Sequence, residues 1–74
     1  MLKGPALVAV STEKLRLLLS LLHRRSLAFP LGTVELTRHG LQEQSALLLG
    51  TLRGLDETGV RAVLVAVLAE RSAR

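Results

Sequence analysis

Cysteine, tryptophan and tyrosine are all missing from this chain, and its 74 residues hold one phenylalanine, Phe29, and one methionine. Without cysteine there is no disulfide framework. With histidine only at positions 23 and 39, and no acidic cluster at ligand spacing, a zinc site lacks its third and fourth ligands. A domain of this size buries only about 60% of the surface its unfolded form exposes. Small scaffolds make up the shortfall with disulfides, a metal or a partner subunit. The first two are excluded by composition, so the sequence points to a homodimer or other homo-oligomer, or to a partner protein.

Long hydrophobic runs are missing as well. The longest, Ala62 to Ala69, is eight residues, against about 18 or more for a spanning helix. The run Ala6 to Val10 is shorter than the apolar core of about 7 to 15 residues that a secretory signal requires. The expectation is a cytoplasmic chain with no membrane partner. Gly32, Gly40, Gly50, Gly54 and Gly59 are scattered rather than gathered into a phosphate loop, and no serine sits in a nucleophile elbow. No enzyme, no cofactor and no small-molecule substrate are expected.

What the chain has is leucine, nineteen of 74 residues, in a composition that is 49% hydrophobic. That fraction excludes a disordered chain. One domain, residues 1–74, is expected. The net charge is +4, and eight of the ten cations are arginine. The guanidinium fork suits phosphate and carboxylate partners, but the charges are dispersed and only His23-Arg24-Arg25 forms a cluster.

The pattern predicts an all-α domain of three to four helices after a short extended amino-terminal arm over residues 5–10. Ser11 offers an N-cap for a helix over about 12–26, with Leu15, Leu18, Leu19 and Leu22 as its core stripe. Leu17 and Leu21 widen that stripe beyond half the wheel, as in a helix covered on two sides. Phe29-Pro30-Leu31-Gly32 breaks the chain. Thr33 caps a short helix over 33–39 that Gly40 ends in a left-handed conformation, a third helix runs over 42–53, and Asp56 caps a fourth over 57–71. Between Arg61 and Glu70 this last helix has no polar side. Val63, Val65 and Val67 also satisfy a period of two, which leaves an α+β alternative with residues 6–10 and 60–68 as strands.

Two functional expectations follow. The first is a helical association module whose interface residues are Leu17, Leu21, Val65 and Ala69. The second rests on a resemblance. Thr33-Val34-Glu35-Leu36 followed by Gly40-Leu41, within residues 12–55, resembles the helix-turn-helix of winged-helix repressors. That likeness implies a nucleic-acid partner, with Arg24, Arg25, Arg38 and Arg53 on phosphates and Gln42 and Gln44 facing bases. The sequence departs from the motif at Leu36 and His39, where a small and an apolar residue are usual, and Glu43 opposes phosphate.

Overall fold

A serine and an aspartate start the two long helices. In the computed structural model, which describes Leu7 and residues 9–73, helix α1 is Thr12–His23 and helix α4 is Glu57–Ser72. The Ser11 hydroxyl accepts a hydrogen bond from the Lys14 N–H at 3.2 Å, and Asp56 Oδ1 accepts one from the Gly59 N–H at 2.8 Å. Glu13 and Glu57 add negative charge in the first turns, where the helix dipole favours it. Between them lie α2, Thr33–Arg38, and α3, Ser45–Leu52, the latter entered through a single 3-10 turn at Gln42–Gln44. Among the described residues there is no strand, and the fold is all-α.

Several boundaries differ from expectation. Helix α1 stops at His23 rather than 26 because Arg25 takes a left-handed backbone, φ 56°. The Arg25 N–H bonds the Leu22 carbonyl at 3.0 Å and the Ser26 N–H bonds the Leu21 carbonyl at 2.9 Å, a Schellman closure with arginine where glycine is usual. The same closure recurs after α2 with the expected glycine: Gly40, φ 76°, and Leu41 donate to Thr37 and Leu36 at 3.0 and 2.8 Å. Thr33 is the first helical residue and Gly32 the N-cap, so no side chain caps α2. The third helix begins as a 3-10 turn, also without a side-chain cap. Leu52 to Leu55 form a type II turn, with Gly54 at φ 84° and a 3.1 Å bond from Leu55 N–H to Leu52 carbonyl.

Arg25 yields the first expected outcome. Its side chain has no hydrogen bond or ion pair among the described residues, so Arg25→Gly relieves the left-handed strain without losing a polar contact. We expect stabilisation of about 0.5–1 kcal/mol, read as a higher urea midpoint with an unchanged slope.

The strand alternative over 60–68 is overturned by burial. Val60, Leu64 and Val67 are the buried residues of α4, at the spacing of one helical face, whereas a strand would bury Val63, Val65 and Val67 together. Val65 is instead 48% exposed. The extended arm is corrected too. Residues 5, 6 and 8 lie outside the described residues, but Leu7 has helical backbone and the Val10 N–H bonds the Leu7 carbonyl at 3.0 Å. Both side chains are buried, and residues three apart share a side on a turn but not along a strand.

The largest helix contact is α1 on α4, with α3 closing against α4 and α2 against α3. Leu15, Leu18 and Leu22 of α1 share one core with Leu36, Leu41, Leu48, Leu52, Val60 and Leu64. No described leucine is exposed; the exposed large apolar side chains are Val34 and Val65. The accessible area of 4733 Å² is near the roughly 4,450 Å² expected of a folded monomer of this mass. The described leucines are therefore absorbed within one copy, and the apolar surface left over on α4 is alanine and valine.

Arg71 joins the two ends of the fold. Its guanidinium donates to the carbonyls of Leu7 and Val10 at 2.7 and 2.8 Å and to the Thr12 hydroxyl at 3.1 Å. The carbonyls that end the amino-terminal turn, before α1 begins, are thereby satisfied by a side chain from the last turn of α4.

Candidate interaction surface

Helix α4 buries one face against α1 and turns the other to solvent. Ala62, Val65, Ala66 and Ala69, at i, i+3, i+4 and i+7, are all exposed, so they form one continuous apolar face. Val63 and Leu68, at its margins, are partly buried against the core. Arg61 lies on one edge, held by Glu57 at 3.2 Å, and the exposed Glu70 lies on the opposite edge. What the surface offers chemically is apolar area on a long capped helix, bounded by one charge of each sign.

Of the four residues predicted for an interface, Val65 and Ala69 belong to this face. Leu21 is only 7% exposed and Leu17 is half-buried against the core, so α1 has no second apolar face to offer. Residue patterning counted both as surplus because it does not show what packs over α1. Ala62 and Ala66 complete the α4 face, standing three residues before Val65 and Ala69 respectively, a spacing that the sequence itself carries.

The residues proposed for nucleic acid are dispersed over element ends. Arg24 and Arg25 follow α1, Arg38 closes α2, Gln42 and Gln44 form the 3-10 turn and Arg53 follows α3. All four arginines and Gln42 are exposed. Arg24 donates to the Ser20 hydroxyl at 3.1 Å and Arg38 pairs with Glu35 at 3.6 Å. Gln44 is corrected: its Oε1 is buried without a hydrogen-bond partner among the described residues, so it does not face outward. The solvent side of the 3-10 turn and α3 presents Gln42, Glu43, Ala46, Gly50 and Arg53, one charge of each sign.

A polar cluster that composition did not announce pins the loop between α1 and α2. The Glu35 carboxylate accepts the Ala28 N–H at 3.1 Å, and His39 Nε2 lies 3.3 Å from Glu35 Oε2 and 3.2 Å from the Ser26 carbonyl. The Ala28 N–H holds the Glu35 carboxyl below the ordinary glutamate range, with His39 and Arg38 acting the same way and burial opposing them. A carboxyl whose folded value is depressed contributes stability above its unfolded value and loses it as pH falls through the folded one. We expect acid to destabilise the native chain more steeply than Glu35→Gln, the other five carboxylates being common to both. Urea midpoints at neutral pH and at about pH 3 measure the difference; parallel curves would exclude the role.

An open notch of about 260 Å³ beside this loop is lined by Leu22, Arg25, Leu27, Phe29 and Glu57. Among the described residues no three His, Asp or Glu side chains group as metal ligands, and no helix is long and apolar enough to cross a membrane. Comparison with models of protein families, with curated proteins and with solved structures finds no match.

Proposed function

We propose that this domain is a protein-association module, and that its binding surface is the outer face of α4 with a second copy as the occupant. The observation that carries this reading is the run of Ala62, Val65, Ala66 and Ala69 in solvent on a long, capped helix whose opposite face is already packed. Alanine suits any exposed helix position, but Val65, a poorer helix former left 48% exposed among three alanines, is what marks the face as a contact surface rather than a solvated one. One helix face buries less than the roughly 800 Å² per partner of a standard interface, so the dimer is weak and concentration-dependent.

Sedimentation equilibrium tests the reading. The apparent mass rises from 8.0 kDa towards twice that value with concentration, and Val65→Glu holds it at the monomer value while circular dichroism stays unchanged. A wild-type chain that remains monomeric at millimolar concentration overturns it.

A second reading is supported by the closed turn at Gly40 between α2 and α3 together with four exposed arginines: a helix-turn-helix unit on nucleic acid. Phosphate contacts weaken binding by about 0.9 log unit per log unit of salt for each contact. A mobility-shift titration on duplex DNA at low salt that shows no complex removes this reading.

A further inference from the structure

We propose that the two copies of α4 pair antiparallel, about a two-fold axis that passes between Val65 and Ala66. This inference rests on the association reading above and adds its geometry. The apolar stretch is bounded by Arg61 at one end and Glu70 at the other, and the midpoint of that interval falls between Val65 and Ala66. Rotation about an axis there sets Arg61 level with the partner's Glu70, Ala62 level with the partner's Ala69, and Val65 level with the partner's Ala66. The charge pattern of the face is thus its own complement under a two-fold rotation, which is what an isologous interface requires.

A parallel pair fails the same test. It sets Arg61 beside Arg61, Glu70 beside Glu70 and like helix ends together, each unfavourable. In the antiparallel pair Arg61 and the partner's Glu70 start from opposite edges of the interface, and the residues at that level are Ala62 and the partner's Ala69. Neither has a side chain beyond a methyl group, so the arginine reaches across. Glu57, 3.2 Å from Arg61, then joins a three-charge row at each end of the pair. Rim pairs of this exposure contribute little affinity but set orientation and register. Alanine at the centre lets the helices approach closely, which gives an otherwise small face good contact.

The absence of cysteine makes the geometry testable by cross-linking. Ala62→Cys, Val65→Cys and Ala69→Cys all fall on exposed positions and leave the core intact. A disulfide needs Cα atoms within about 4.4–6.8 Å, and in the antiparallel pair two copies of residue 62, or two of residue 69, are separated by about 10 Å along the axis. Val65→Cys therefore links to itself, whereas Ala62→Cys and Ala69→Cys do not. Mixed together, those two give roughly ten-fold or more cross-linked dimer than either alone.

If Ala62→Cys and Ala69→Cys each link to themselves, the antiparallel arrangement is overturned and a parallel one stands. If the chain doubles its mass in sedimentation but the mixture does not link, the proposed register is overturned while self-association survives. A chain that stays monomeric and links nowhere overturns both readings.

Discussion

Replacing Arg71 with methionine lowers the stability of the domain by about 3 kcal/mol. The change keeps most of the aliphatic stem and removes three hydrogen bonds from a cationic donor, at 2.7, 2.8 and 3.1 Å. The Leu7 and Val10 carbonyls, part-buried, then lose their charged partner, and each such loss costs on the order of 1–3 kcal/mol. Water recovers some of that, which sets the figure nearer one lost group than three. The total stability of a chain this size is roughly 4–11 kcal/mol, so a single surface-reaching side chain commands a large share of it. Arg71→Lys recovers only part of the loss, because one ammonium cannot span three acceptors set out for a fork. Chemical denaturation followed by circular dichroism measures both variants; a midpoint unchanged in Arg71→Met would show the clasp to be without energetic weight.

The second large effect lies about two turns earlier on the same helix. Leu64 is fully buried on the face of α4 that meets α1. Leu64→Ala removes its transfer free energy and leaves a cavity, about 2–5 kcal/mol together. For a domain of this length that corresponds to a fall in Tm on the order of 10 °C or more. The contrast with Val65→Glu is the informative part. Two adjacent residues on one helix separate packing from the proposed association: the first change is expected to weaken the fold, and the second to leave it folded while abolishing any dimer. Thermal denaturation and sedimentation of both variants test that separation, and a Val65→Glu that melts like Leu64→Ala would place the outer face within the core.

The helices were legible because their signals are local. Ser11, Gly40, Gly54 and Asp56 each act within one turn of chain, and all four end or begin helices where their chemistry requires. Arg25 was illegible for the same reason inverted: nothing in an arginine announces a left-handed backbone, which is imposed here by the need to turn from α1 into the loop that Glu35 holds. The period-two alternation of Val63, Val65 and Val67 was a true ambiguity, settled by the sixteen-residue length of α4 and by what packs against it. The apolar face of α4 was half legible. An uninterrupted apolar segment says that both sides are covered or that one is free, and only the position of α1 decides between them. Glu35 and Arg71 were the least legible, since their partners are backbone groups seven and some sixty residues away.

Because Arg71 clasps the Leu7–Val10 turn, the last turn of α4 is tied to the segment before α1 by hydrogen bonds as well as by the core they share. Loosening of the last turn of α4 and loosening of the segment before α1 are then one event rather than two. Amide exchange that is slow together in the Leu7–Val10 turn and the last turn of α4, and quickens together in Arg71→Met, is the expected signature of that coupling.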